Sequence, residues 1–227
     1  MVEPARVTAP TIPGNGSSEP TAGTGRERIL HVALEEFAAN GFDGTSMAHI
    51  ARRAGVTQPL VHYHFASKDA LWRAAVDNVL GLVNQGIEAL RCDLDGKPPA
   101  EQLELVVRAM VRFNSLCPEF GRIVAYEGAL GGDRLRYLFD KQVDVPYRDV
   151  GELLRQGARD GWAKPLPVEH VVLAASAAAA YFFVIKETVL EMYGLDVHDP
   201  RVVEAHADTV VELFLRGLLT DRGHADA

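Results

Sequence analysis

Apolar residues recur along most of this chain at three- and four-residue intervals, and strand-like alternation does not appear. The pattern predicts an all-α protein of about nine helices. Met47, Ile50, Ala51 and Ala54 mark one face of a short helix. Ser46 precedes it as a hydroxyl cap, and Arg52 and Arg53 lie late in it, where cations suit the negative end of the dipole. Gly55 stands at the natural stop. Thr57 is placed to cap a second short helix, with Pro59 in its first turn. Leu60, Val61 and Phe65 fall on its inner side, leaving Gln58, His62, Tyr63 and His64 toward the outside. Ser67 then caps a longer helix that runs from Lys68 to about Arg91. Further helices are expected from Ala100 to Leu116 and from Glu119 to about Leu130, the latter stopped by Gly131 and Gly132. A long helix follows from Asp133 to Asp160, kinked or interrupted by Pro146. The last two run from Val168 to Tyr193, ended by Gly194, and from Asp199-Pro200 to about Leu219.

Two short helices joined by a glycine turn, with a third helix beginning at once, have the spacing of a helix-turn-helix. Such a unit places its second helix in the major groove of DNA. Thr24 to Leu71 resembles the DNA-binding domain of the tetracycline-repressor (TetR) family of bacterial transcription factors. The residues that carry the resemblance are Ile29, Ala33, Phe37, Gly41-Phe42, Thr45-Ser46, Ile50-Ala51, Gly55-Val56, Tyr63-His64-Phe65, Lys68 and Leu71. They cover roughly the first third of the chain without a break in register. The family often has tyrosine where His62 stands and leucine where Val61 stands. The resemblance implies that Gln58, Pro59 and His62 face bases. Gln58 suits adenine, and Pro59 suits a thymine methyl. Tyr63, His64 and Lys68 would face phosphates, with Thr45 and Ser46 meeting the backbone at the start of the second helix. A lysine in a helix's first turn opposes the dipole, which fits a nearby phosphate. The bland alternatives are that His64 bonds within the domain and that Tyr63 packs against the next helix.

Charge changes this picture in one respect. The net charge is −8, yet Thr24 to Trp72 holds five bases against five acids, with four histidines, and residues 73–227 carry seven of the eight net negative charges. A neutral head on an acidic body binds DNA weakly through charge alone. Affinity must come from base contacts and dimer spacing, and its salt dependence should be shallow. Residues 1–23 are rich in Pro, Gly, Ser and Thr and read as a disordered tail. The head is placed at residues 24–70, an effector-binding and dimerisation domain at 71–220, and a short tail at 221–227. Cys92 and Cys117 read as free thiols of a reducing compartment. The start of the chain has no signal-peptide pattern, and the longest apolar run, Val171 to Ile185, is short for a bilayer. A cytoplasmic protein with no membrane partner is expected.

Within the body, Val168 to Met192 is apolar on more than one face, and Val202, Val203, Val210, Leu213, Phe214 and Leu218 give the final helix a broad apolar stripe. Helices of this kind need covering on several sides. A homodimer through helices 168–193 and 200–219 supplies the missing side, and the family forms a four-helix bundle there. Two polar residues fall on apolar stripes: Asn114, with Leu103, Val107 and Met110, and Glu127, with Ile123 and Leu130. A buried carboxylate needs a partner, for which Arg112, Arg122 and His170 are the candidates. With Tyr137, Tyr147 and Tyr181, these residues (Asn114, Glu127, His170) compose a candidate effector pocket; a closed core is the alternative. The functional expectation is a repressor released from a palindromic operator on double-stranded DNA by a small-molecule effector. A ligand-independent DNA-binding or architectural protein is the runner-up, and a protein–protein sensor without DNA binding is a third reading. No metal, cofactor or enzymatic activity is expected. His62 and His64 diverge around a helix, and no phosphate loop, cysteine cluster or nucleophile elbow appears.

Overall fold

The computed structural model of the protein describes residues 24–141 and 145–221. The expected tail at 1–23 lies outside these residues, as does nearly all of the one at 221–227. The described residues form eleven helices and no strand. Four make the head: α1 Gly25–Gly44, α2 Met47–Arg53, α3 Gln58–His64 and the first half of α4 Lys68–Leu94. The body adds α5 Pro99–Leu116, α6 Pro118–Leu130, α7 Asp133–Asp140, α8 Val145–Asp160, α9 Val168–Val184, α10 Lys186–Tyr193 and α11 Pro200–Leu218.

The count exceeds the expected nine because two long helices are each two. The segment from Asp133 to Asp160 is split into α7 and α8, with Pro146 at the second position of α8, where a missing amide costs little. The apolar segment from Val168 to Tyr193 breaks at Ile185 and bends by 72° between α9 and α10. Arg122 of α6 holds that break. Its Nε and Nη2 donate to the Val184 carbonyl at 3.1 and 2.8 Å, satisfying an acceptor freed where the helix stops.

Local capping explains the head. Thr24 and Glu27 form a reciprocal capping box at the start of α1. α1 kinks at Gly41, whose φ of 68° suits glycine. Ser46 accepts from the His49 amide and Ser67 from the Ala70 amide, as caps of α2 and α4. Thr57, expected to do the same for α3, makes no side-chain cap bond; Pro59 in the first turn leaves fewer amides to satisfy.

The core falls into three clusters. The first joins Ile29, Phe37, Ile50, Val61, Leu71 and Trp72 of the head to Phe120 and Ile123 of α6 and Leu138 of α7. The second joins α5, α9, α10 and α11 around Val111, Phe183, Val203 and Ala207. The third packs Leu103, Leu154, Val172 and Leu218. The end of α11 is tied to the segment before α9 by bonds from the Lys164 amide to the Leu218 carbonyl and from the Thr220 amide to the Trp162 carbonyl, at 2.8 and 3.0 Å. Among the described residues no single helix is long and apolar enough to cross a membrane.

Candidate nucleic-acid interface

α3 is held from below and open above. Val61 and Phe65 are buried in the head, while Gln58, Pro59, His62 and Tyr63 are exposed, Tyr63 at 81%. Gln58 and His62 stand one turn apart with their side-chain nitrogens 3.5 Å from each other, so they share one face. His64 is half-buried and meets the Tyr63 ring edge-on at a centroid distance of 5.1 Å. Tyr63 is thus turned outward, and does not pack on α4.

Two expected contacts of the head, Thr45 and Lys68, are differently employed. Thr45 is 2% exposed, and its hydroxyl donates to the carbonyls of Gly41 and Glu36 at 2.7 and 3.1 Å. Its side chain closes the kinked end of α1 and does not reach the surface, which corrects the expectation that it meets the DNA backbone. Ser46, next to it, is exposed at the start of α2. Lys68 points its ammonium at the carbonyls of Phe42 and Thr45, at 2.8 and 3.0 Å, with that of Asp43 at 3.5 Å. Its position in a helix's first turn is therefore explained without a phosphate: it serves as a cationic cap for the end of α1.

A polar network that the sequence pattern did not reveal sets α2 against α1. Glu36 is 6% exposed. It receives Arg53 Nη1 at 2.6 Å, His49 Nε2 at 3.2 Å and Asn40 Nδ2 at 3.0 Å. Arg53 also reaches Glu35 at 2.9 Å, and its basicity is raised, first by the Glu36 bond. Arg52 donates to His49 Nδ1 at 2.7 Å. The i, i+1 acidic pair in α1 and basic pair in α2 are the only sequence signal for this network.

The residues proposed for an effector pocket differ in their surroundings. Tyr181 is 61% exposed, and His170 is exposed as well. Tyr147 lies at the surface, although burial of its hydroxyl raises its pKa while a bond to Ser176 lowers it. Tyr137 donates to both carboxylate oxygens of Asp77 at 2.8 Å and meets Trp72 edge-on, so it belongs to the α4–α7 contact. Asn114 donates to the Met110 carbonyl on its own helix at 2.8 Å. Glu127 is buried, as expected of its place on an apolar stripe, at 2% exposure. Its partner is none of the three candidates. Arg134 Nε donates to its Oε1 at 2.8 Å, while Arg112 pairs with Glu204 and Arg122 caps α9. A hollow of about 500 Å³, open to solvent, lies elsewhere, between Glu88, Arg91, Cys92, Asp95 and Gln102. Cys92 and Cys117 are free, and burial pushes the Cys117 thiol up to about 11.

Residues 29–75 match the family description "Bacterial regulatory proteins, tetR family", and residues 99–214 match "Tetracyclin repressor-like, C-terminal domain". The chain belongs to the TetR family. Among its TetR-family relatives, the HTH-type transcriptional regulator RutR of Escherichia coli K12 is 22% identical over 193 residues, covering 85% of this chain and 90% of RutR. Among solved structures, the ketosteroid transcriptional regulator KstR2 of Mycobacterium tuberculosis superposes with a TM-score of 0.70 at 19% identity, over 86% of this chain and 95% of that one. AibR, solved with isovaleryl coenzyme A and operator DNA, superposes with a TM-score of 0.66 at 18% identity, over 84% and 98%. This TetR-family protein is thus a helix-turn-helix transcriptional regulator, with α2 and α3 as the motif and α5 to α11 as the body.

Proposed function

We propose that this protein is a ligand-responsive repressor that binds a palindromic operator as a homodimer. The observation that carries the reading is α3. A helix with Gln58, Pro59, His62 and Tyr63 all bare, anchored in the head through the buried Val61 and Phe65, is shaped to meet another molecule through that face. Gln58, Pro59 and His62 are assigned to base edges; Tyr63, His64 and Ser46 to phosphates. The head spans residues 24–70, and the body, residues 71–220, carries the effector and dimer functions. The dimer forms through α9 and α11, where Leu173, Tyr181 and Leu213 are 66%, 61% and 69% exposed. A C2 pair of heads then reads two half-sites roughly 34–36 Å apart. The protein acts in the cytoplasm with the chromosome, and by regulation rather than catalysis.

Effector release follows if a ligand binds the DNA-free arrangement more tightly than the bound one. The structural likeness to AibR supports this reading and makes coenzyme A thioesters the first ligands to try. The exposure of His170 and Tyr181 favours the alternative, a ligand-independent DNA-binding protein. Selection of bound duplexes from a random pool by the full chain tests the proposal. An enriched palindrome with half-site centres one helical turn apart is the expected result, and a pool that stays random would refute it. Thermal stabilisation by a thioester panel, with loss of the selected duplex, separates the two readings.

A further inference from the structure

Beside the core that head and body share, two consecutive residues at the end of α1 meet the body. At the kink, Tyr126 of α6 lies so close to Gly41 that a Cβ there would stand 2.9 Å from its ring Cζ. At the next residue, the Phe42 ring carries the Arg134 guanidinium 4.2 Å from its centroid and the Lys68 ammonium at 4.5 Å. Arg134 comes from α7, and its Nε is bonded to the buried Glu127 of α6. The other Glu127 oxygen, Oε2, is buried with no hydrogen-bond partner in the protein. Arg134 is therefore the countercharge that this carboxylate depends on, and the carboxylate in turn fixes where the guanidinium lies. A planar guanidinium on an aromatic face is directional as well as attractive. Lys68 ties the same Phe42 segment to the start of α4, which follows α3 after three residues. Thr45 ties it to the start of α2.

We infer that Arg134, held by Glu127, is a positioning residue for operator recognition: it sets the angle of the head on the body by fixing Phe42. The inference rests on the operator-binding reading above. Each head reaches its half-site from a dimer axis some distance away. A small rotation at residues 41–45 displaces α3 along the groove, and a rigid duplex does not follow cheaply. Loss of the link should therefore harm binding that needs two half-sites in register. Binding that tracks phosphates at any position should be untouched.

The experiment compares the full-length protein with Arg134→Ala and with the double variant Glu127→Met/Arg134→Met. The double variant removes the cation from Phe42 without leaving an unpaired buried charge, a replacement that cores tolerate well. Affinity for the selected duplex and for a scrambled duplex is measured at one salt concentration, with melting temperature and sedimentation alongside. Both variants are expected to stay dimeric, the double variant melting within about 4 °C of the parent. The ratio of specific to non-specific affinity should fall at least about 5-fold, with scrambled-duplex affinity unchanged. An unchanged ratio in the folded double variant overturns the inference. So does a parallel loss on both duplexes, or a double variant that fails to fold, since either makes the pair general support for the body. If the parent protein enriches no duplex at all, the operator-binding reading itself falls and this inference with it.

Discussion

Gln58 is the side chain whose loss should be most informative. It is exposed, and its side chain meets His62 on the same face at 3.5 Å. Nothing in the head depends on it for packing, so Gln58→Ala should fold as the parent does. Discrimination at one or two base pairs should drop by about 1–3 kcal/mol each, with non-specific affinity kept. Binding to a set of single-base operator variants checks this, and uniform weakening across the set would rule out base readout by Gln58. The outward side of α3 was legible in the sequence because Val61 and Phe65 fix which face is buried. The role of Thr45 was not legible. Like Ser46 it is a hydroxyl residue before a helix, and only the kink at Gly41 decides that it turns inward while Ser46 caps α2 as expected. Glu127 shows the same division. Its place on an apolar stripe announced its burial, but its partner lies seven residues on, beyond two glycines with positive φ that turn the chain back. Periodicity ends at such a turn, so it carries no information about what meets across it.

At the scale of elements, helix ends marked by Gly, Pro and hydroxyl caps were readable, as at Ser46, Ser67, Gly131 and Asp199. The break at Ile185 was not, because Val184, Ile185 and Lys186 contain no breaker and the cause is remote: Arg122 on another helix accommodates the freed carbonyl. α9 is also fastened to α11 by a side chain that periodicity treats as neutral. The His206 ring stacks on Phe182 at 4.3 Å and meets Phe183 edge-on at 5.5 Å, with Nε2 donating to the Ala178 carbonyl at 3.0 Å. Burial lowers its pKa from the ordinary value of 6.5, against a smaller opposing effect of that bond. The sign follows. Above the ordinary value the ring is neutral folded and unfolded, and contributes no pH dependence. As pH falls below it, the unfolded chain takes up the proton first, so stability declines until the folded pKa is passed. The melting temperature should therefore fall between neutral and mildly acid pH, and less so in His206→Phe, which keeps the aromatic stack. Equal acid slopes for the two proteins would show that another group sets them.

For the whole molecule, the all-helical architecture and the division into head and body could be read in advance, whereas the way the core is shared could not. Leu138, Phe120 and Ile123 of the body complete the head's core, and no local pattern marks residues from such distant segments as neighbours. The symmetric assembly is tested through Leu213. At 69% exposure it supports nothing within one chain, so Leu213→Glu should leave the fold of the protomer nearly unchanged. A carboxylate placed against its own copy in the proposed α9–α11 face should weaken the dimer by at least about 30-fold, the size of a hot-spot loss. Sedimentation and operator affinity should fall together.

Charge supplies the last test, because the head's cations are largely engaged within the protein. Arg53 is paired with Glu35 and Glu36, and Lys68 is directed at three carbonyls. Arg52 is bonded to His49, Arg28 to the Ala54 carbonyl at 3.4 Å, and Arg26 lies over the Phe65 ring at 5.6 Å. Each phosphate neutralised by a free cation contributes about −0.9 to the slope of log affinity against log salt. A head of zero net charge whose cations are so held has few to offer, and the acidic body repels the duplex rather than helping. The operator complex should accordingly show a slope no steeper than about −5, and most of its affinity should survive a rise in salt that strips a basic repressor from DNA. A slope near −9, equivalent to about ten phosphates, would mean that these side chains leave their internal partners on binding. Recognition would then rest on charge, and the base contacts assigned to α3 would be secondary.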